Sequence, residues 1–83
     1  MNHALAAELN SAGLKSFEDG DLTDAISSLK DSYLNWADEV GILVNLGLAF
    51  MQSGLDYKAE RCYRRASKSR NIKTKRAAHK NLG

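Results

Sequence analysis

The stretch Gly41–Gly54, GILVNLGLAFMQSG, is the most apolar part of the chain and carries no charged residue. One apolar stripe follows the spacing of a helix face and consists of Leu43, Leu46 and Phe50. A second stripe, on another side of the same helix, consists of Val44, Leu48 and Met51. A helix that is apolar on two faces is expected to be covered on two sides. The run is also too short to span a bilayer, which takes about 20 apolar residues. The stretch therefore predicts a central helix packed between neighbours, with no transmembrane segment.

Gly47, in the middle of this helix, predicts that another helix comes close. A glycine inside a helix costs about 1 kcal/mol relative to alanine, so it usually marks tight packing. The composition agrees with a helical protein, because the absence of proline and six isolated glycines favour helices joined by short turns. With 83 residues, of which 43% are hydrophobic and 27% charged, the chain suits one small soluble domain. We therefore expect a single all-α domain spanning residues 1–83.

An internal repeat becomes visible when the chain is aligned with itself at an offset of 34 residues. The matched pairs are Gly13 and Gly47, Gly20 and Gly54, Ala25 and Ala59, Leu29 and Tyr63, and Ser32 and Ala66. Self-similarity at a fixed period of this length indicates a repeat architecture. Local signals agree, since Asp21 suits a helix N-cap and Gly20 and Gly54 suit the left-handed residue after a helix. We predict two antiparallel pairs of helices, near residues 3–18, 22–35, 39–53 and 57–69.

The repeated pattern, apolar-x-x-apolar-Gly followed by Ala-x-x-x-aromatic, resembles the tetratricopeptide repeat. In the first copy the matching residues are Leu9, Ala12, Gly13, Gly20, Ala25, Leu29 and Ser32. In the second copy they are Leu43, Leu46, Gly47, Phe50, Gly54, Ala59, Tyr63 and Ala66. The proline that usually closes each repeat is absent, and Ala37 and Asn71 stand in its place. The resemblance implies a right-handed α-solenoid of two tandem hairpins, with repeat 1 at residues 6–39, repeat 2 at 40–73, and a partial third repeat at 74–83 that forms a C-terminal capping helix.

For function, the resemblance implies a non-enzymatic protein–protein interaction module, a scaffold or adaptor that holds a peptide in the concave groove lined by the first helix of each repeat. The groove positions in this chain are Asn10, Leu14, Phe17, Val44, Asn45, Leu48, Met51 and Gln52. The apolar members fall outside the packing positions, so we expect them to be partly exposed, as interaction patches are. The amides would set the register of a bound backbone, although Asn45 also suits a structural bond to a neighbouring backbone group. A fifth helix or a second copy of the chain is the alternative occupant of the groove, which leaves a homo-oligomer open.

The net charge of +2 hides two oppositely charged parts of the chain. Residues 1–57 hold two Lys or Arg against nine Asp or Glu, a balance of −7, whereas residues 58–83 hold ten against one, a balance of +9. A basic face at helical spacing consists of Arg61, Arg64, Arg65, Lys68, Arg76 and Lys80. Such a face is typical of phosphate binding or of an acidic protein partner, but only Tyr57 and Tyr63 lie among these residues as aromatics on which bases could stack. The alternative function is therefore a nucleic-acid- or acidic-partner-binding accessory protein, with protein preferred to nucleic acid as the partner.

The sequence contains no arrangement that indicates catalysis, a cofactor or a metal centre. His3 and His79 lie near opposite ends, without a cysteine or carboxylate at ligand spacing. Cys62 is the single cysteine, which leaves no internal disulfide in this sequence and fits a reducing compartment. Arg61 and Arg65 would lower its pKa, but a half-buried structural thiol is the preferred interpretation. Because the start of the chain lacks the basic and apolar regions of a secretory signal, we expect a cytoplasmic protein.

Overall fold

The computed structural model describes residues 2–69, which form four α-helices and, within that range, no strand. The helices are α1 (His3–Glu18), α2 (Leu22–Asn35), α3 (Val40–Gln52) and α4 (Asp56–Ser69). Each boundary lies within one residue of the boundary predicted from the sequence, so the all-α class is confirmed. The capping helix predicted at residues 74–83 lies outside the described residues.

A glycine follows the first helix of each hairpin and reverses the chain. Gly20 has a φ of +84° and Gly54 a φ of +80°, which is the left-handed region that favours glycine. After the first of these glycines, the Asp21 carboxylate accepts a hydrogen bond from the Asp24 N–H at 3.2 Å, as an N-cap does. The glycine turns and the Asp21 cap predicted from the sequence are therefore confirmed.

The two turns share the same backbone hydrogen bonds, displaced by 34 residues. The Asp21 N–H donates to the Ser16 carbonyl at 2.9 Å, and the Leu55 N–H donates to the Phe50 carbonyl at 2.9 Å. The second helices also begin in register, since α2 starts at Leu22 and α4 starts at Asp56. One turn geometry is thus used at both places in the chain.

Helices α1 and α2 pack antiparallel, with the start of α1 beside the end of α2. The Ser32 hydroxyl near the end of α2 donates to the Ala6 carbonyl near the start of α1 at 2.6 Å, and both residues are fully buried. At mid-helix, Gly13 lies so close to Leu29 that a Cβ added there would come 2.6 Å from the Leu29 Cγ. In the first hairpin, the α1 backbone at Gly13 therefore packs directly against the buried side chain of Leu29.

Helices α3 and α4 pack in the same way. A Cβ added at Gly47 would come 2.8 Å from Cε1 of Tyr63 and 3.2 Å from Cβ of Cys62. Near the turn, Lys58 at the start of α4 places its Nζ 5.7 Å from the ring centroid of Phe50 at the end of α3. The close approach of a second helix at Gly47, predicted from the sequence, is confirmed.

The core centres on α3, which lies between α2 and α4. Its buried residues pack with those of the neighbouring helices in one cluster, made of Ala25, Leu29, Leu43, Leu46, Ala49, Phe50, Ala59, Cys62 and Ala66. Within residues 2–69, α2 and α4 do not contact each other. The second stripe of α3 is less covered than its apolar composition suggests, because Leu48 and Met51 remain 41% and 44% exposed. None of the helices in the described part of the chain is both long and apolar enough to cross a bilayer.

Candidate functional site

The first candidate surface is formed by α1 and α3 and is called the α1/α3 face. Its members are the predicted groove residues Asn10, Leu14, Phe17, Val44, Asn45, Leu48, Met51 and Gln52. Three of its apolar side chains are exposed, Leu14 at 37%, Leu48 at 41% and Met51 at 44%. Spacings of i, i+4 and i+7 place the chosen residues on one side of each helix. The partial exposure expected of these three residues is confirmed.

The other two apolar members are more buried than the first three. Phe17 and Val44 are half-buried and pack against the core. The face therefore combines half-buried and exposed apolar side chains, and Gln52 is exposed as well.

An amide–amide hydrogen bond joins the two helices of this face. The Asn45 Nδ2 donates to the Asn10 Oδ1 at 3.0 Å, and the pair is partly buried. The sequence-based alternative for Asn45, a bond to a neighbouring backbone group, is therefore wrong in its partner, which is a side chain 35 residues away. A primary amide has donors and an acceptor, so Asn10 keeps its NH₂ and Asn45 its carbonyl oxygen for a further bond. The bond fixes the orientation of the two amides relative to each other.

A second candidate surface, called the basic groove, opens between α2 and α4 with α3 beneath it. Its volume is about 760 Å³. Six cationic side chains line it, namely Lys30, Lys58, Arg61, Arg64, Arg65 and Lys68. The predicted basic face of α4 is thus one wall of a groove. Two further members of that predicted face, Arg76 and Lys80, lie outside the described residues.

The floor and the other wall of the basic groove are apolar and were not predicted from the sequence. The floor consists of Leu43, Leu46 and Phe50 of α3. On the α2 wall, Leu34 is 72% exposed and Tyr33 is half-buried against the core; Tyr57 at the start of α4 is 74% exposed. The sequence feature that could have indicated the α2 wall is the i, i+3, i+4 spacing of Lys30, Tyr33 and Leu34, which puts them on one side of α2. Only the packing of α2 beside α3 shows that this side faces α4.

The basic wall of α4 is not balanced by acidic residues of the same helix. Glu60 forms an ion pair with Arg64 at 2.6 Å, and both side chains are about two-thirds exposed, 64% and 66%. Arg61 and Arg65, and also Arg64 and Lys68, are like-charge pairs four residues apart, and each such pair destabilises a helix by about 0.2–0.5 kcal/mol. The α4 stripe therefore weakens the isolated helix instead of stabilising it.

Cys62 lies on the same groove, and its chemistry is decided by burial. It is 8% exposed. Burial raises the pKa of the Cys62 thiol, although the nearby Arg61 and Arg65 charges act in the opposite direction. The lowering of its pKa that the sequence suggested is outweighed, and the structural-thiol interpretation is favoured. At the far end of the molecule His3 stacks on Trp36 with ring centroids 4.0 Å apart, a contact that the sequence did not indicate.

The arrangement offers two surfaces suited to binding and little that suits chemistry. Within residues 2–69, no three His, Cys, Asp or Glu side chains come together as ligands of a metal would. The α1/α3 face is apolar with two mutually bonded amides, and the basic groove is largely apolar on its α2 side and cationic along α4. Comparison with protein-family models, with curated proteins and with solved structures finds no match to this chain.

Proposed function

We propose that this chain is a non-enzymatic protein-interaction module built as a tandem, tetratricopeptide-like array of two hairpins, and that it holds a peptide segment of a partner protein on the α1/α3 face. Two observations support the array: the turn hydrogen bonds recur at 34 residues, and a glycine meets a larger side chain of the second helix in each hairpin. The single cysteine is consistent with a cytoplasmic protein, since thiols stay reduced in that compartment.

The observation that carries the proposal is the set of exposed apolar side chains Leu14, Leu48 and Met51 on adjoining helices. Fully burying a side chain of this size stabilises a complex by about 1.5–3 kcal/mol, so covering the exposed two-fifths of each contributes about 1 kcal/mol. The three together supply about 3 kcal/mol, or roughly a hundredfold in affinity. Affinity in the micromolar range then depends on additional hydrogen bonds and on contacts around this apolar centre.

The amides of Asn10 and Asn45 would provide those hydrogen bonds. Asn10 and Asn45 are held by their mutual bond, so a partner does not have to order them when it binds. An extended peptide presents a backbone N–H and a C=O to each neighbouring residue, which match the free Asn45 oxygen and the Asn10 NH₂. The apolar side chains would select the peptide and the amides would fix its register.

A peptide library displayed on phage, with random segments of about 12 residues, tests this proposal on the whole chain. Peptides retained by the chain are measured by fluorescence anisotropy against two variants. Leu48→Asp places a charge in the α1/α3 face, whereas the matched control Leu34→Asp makes the same exchange at an exposed leucine of the basic groove. We expect apolar peptides whose affinity falls about tenfold or more with Leu48→Asp and stays unchanged with Leu34→Asp.

The proposal is abandoned if the selected peptides bind equally well to wild type and to Leu48→Asp. Sedimentation at two protein concentrations separates the remaining alternative, in which a second copy of the chain covers the face. A concentration-dependent dimer that Leu48→Asp converts to monomer assigns the face to self-association instead of to a peptide partner.

A further inference from the structure

The basic groove is a second binding surface, and we propose that it takes an acidic amphipathic helix from a partner protein. This inference does not depend on the α1/α3 face, which lies on another side of α3. Residues Leu43, Leu46 and Phe50 point into the basic groove, whereas Val44, Leu48 and Met51 lie roughly 130° away around the helix axis at 100° per residue. The two surfaces can therefore be disabled separately.

Charge complementarity selects an acidic partner. Six cationic side chains from two helices face one groove, and of these Arg64 is paired with a carboxylate, that of Glu60. Arg61, Arg65 and Lys68 repeat along α4 at positions i, i+4 and i+7, so they form a line along the groove. A partner with carboxylates along one edge would meet the line of cations on α4, and Lys30 adds a single cation on the α2 side.

The exposed apolar side chains of the basic groove favour a helix over a nucleic acid. A phosphate backbone offers no apolar group to Leu34, which is 72% exposed, or to the half-buried Tyr33; Leu43, Leu46 and Phe50 beneath them are 3%, 5% and 7% exposed and add little contact area. An amphipathic helix presents apolar side chains at i, i+3, i+4 and i+7 on one side and carboxylates beside them, which matches the apolar Tyr33 and Leu34 of α2 next to the cationic wall of α4. Tyr57, at 74% exposure, is the one strongly exposed aromatic ring of the groove, whereas single strands are usually bound on several stacked aromatics.

This chain itself offers two alternative occupants of the groove. Residues 70–83 carry five Lys or Arg and no Asp or Glu, so their charge has the same sign as that of the groove. A second copy carries four of its ten acidic residues around the first turn, at Glu18, Asp19, Asp21 and Asp24, and the other six are spread along the chain. A second copy is therefore one of the outcomes that the test below distinguishes.

The length of the groove sets the length of the partner segment. From Tyr57 to Lys68 the α4 wall rises about 16 Å at 1.5 Å per residue. A bound helix of about 11 residues, or three turns, matches this length. Such a helix would bring two or three apolar side chains to the groove, where Leu34 and Tyr57 are exposed.

The test uses a fluorescein-labelled peptide of about 16 residues with leucines at helical spacing and glutamates on the flanks. A scrambled peptide of identical composition and an oligothymidylate of similar charge are the comparison probes. Binding to the full chain is followed by fluorescence anisotropy. We expect the amphipathic peptide to bind at least about tenfold more tightly than the scrambled one, because the scrambled peptide has the charge without the apolar stripe.

Charge-reversal variants assign the peptide to the groove. Arg61→Glu combined with Arg65→Glu is expected to weaken binding by about tenfold or more, while Lys15→Glu on α1, an exposed lysine outside the groove, leaves it unchanged. Leu34→Asp is expected to weaken binding as well, and Leu48→Asp is not. If the α1/α3 proposal fails, the phage-selected peptides will bind Leu48→Asp as well as wild type. That outcome does not affect the results expected for the basic groove.

The midpoint of thermal unfolding tests whether a variant that loses binding is still folded. Arg61→Gln with Arg65→Gln removes like-charge repulsion in α4, so the variant is expected to melt at or above the wild-type temperature while it binds the peptide less tightly. Equal affinity for scrambled and amphipathic peptides overturns the inference, and so does tighter binding of the oligothymidylate in competition. A dimer that the Arg61→Glu/Arg65→Glu variant abolishes, with no peptide binding, overturns it in favour of a second copy.

Discussion

Replacing Gly13 with alanine tests the close approach of α1 and α2. The added Cβ would lie 2.6 Å from the Leu29 Cγ, 2.9 Å from its Cδ2 and 3.3 Å from the Ala25 carbonyl oxygen. Carbon atoms in favourable contact are about 3.5–4.0 Å apart, so Leu29 or a backbone must move by about 1 Å. Leu29 is fully buried, so any movement takes place among the packed side chains of the core. The first hairpin therefore cannot accept the methyl group without a shift in its packing.

Two opposing effects set the size of the loss. Overpacking a core of this kind costs about 1–3 kcal/mol, and exchanging glycine for alanine inside a helix returns about 1 kcal/mol. Because the clash at Gly13 involves a backbone oxygen as well as Leu29, we place the net destabilisation at about 1–2 kcal/mol. For a domain of this size the midpoint of thermal unfolding falls by about 4–8 °C per kcal/mol, so a drop of about 5–15 °C is expected.

Thermal unfolding followed by circular dichroism measures this drop, with two other glycines as matched controls. At Gly41 the added Cβ meets Glu39 Oε1 alone, at 3.4 Å, so Gly41→Ala should gain up to about 1 kcal/mol from helix propensity. At Gly47 the nearest atom belongs to the ring of the half-buried Tyr63, which can shift. The thermal midpoint of Gly47→Ala should therefore lie between those of the other two variants. A Gly13→Ala variant that melts at or above wild type refutes the packing of α1 against α2.

Three further predictions concern single groups. Ser32→Ala removes the buried hydrogen bond to the Ala6 carbonyl and should lower the free energy of unfolding by about 1 kcal/mol in urea titration; no loss would mean that the bond contributes nothing. Gly20→Ala and Gly54→Ala each put a side chain on a residue with positive φ, which should lower the free energy of unfolding by about 1–2 kcal/mol in the same urea titration. Unequal losses would contradict the equivalence of the two turns. Because burial raises the pKa of the Cys62 thiol in the folded state, the stability that this group contributes is complete below its ordinary value of 9.0 and is lost as pH rises through the raised value. Urea titrations across that range should show the decline in wild type and a smaller one in Cys62→Ala.

For the candidate site, the sequence predicted single side chains better than their combinations. The groove positions implied by the repeat resemblance identified Leu14, Leu48 and Met51 as exposed, whereas the apolar stripe of α3 by itself predicted that Leu48 and Met51 would be covered. The sequence did not indicate that Asn45 bonds to Asn10, since the two lie 35 residues apart and meet only through the packing of α1 beside α3. Sequence spacing describes one helix at a time and leaves the rotation between helices open.

The pKa of Cys62 shows the same limit in energetic terms. From the sequence, the neighbouring Arg61 and Arg65 are visible and burial is not, so the charges alone predict a lowered pKa. In the folded chain the thiol lies at the core, and desolvation outweighs both cations. The sign of the shift thus depends on a solvent exposure that only tertiary packing sets.

The sequence by itself determined the helices and where they turn, because these depend on hydrogen bonds that reach only a few residues. Asp21 caps α2, Gly20 and Gly54 adopt positive φ, and Gly47 admits a second helix, as each residue type predicts. The tertiary structure alone decided that a basic stripe on α4 faces an apolar wall on α2 across the floor of α3. That arrangement depends on the angle and rotation at which helices pack, which result from the shapes of many side chains at once.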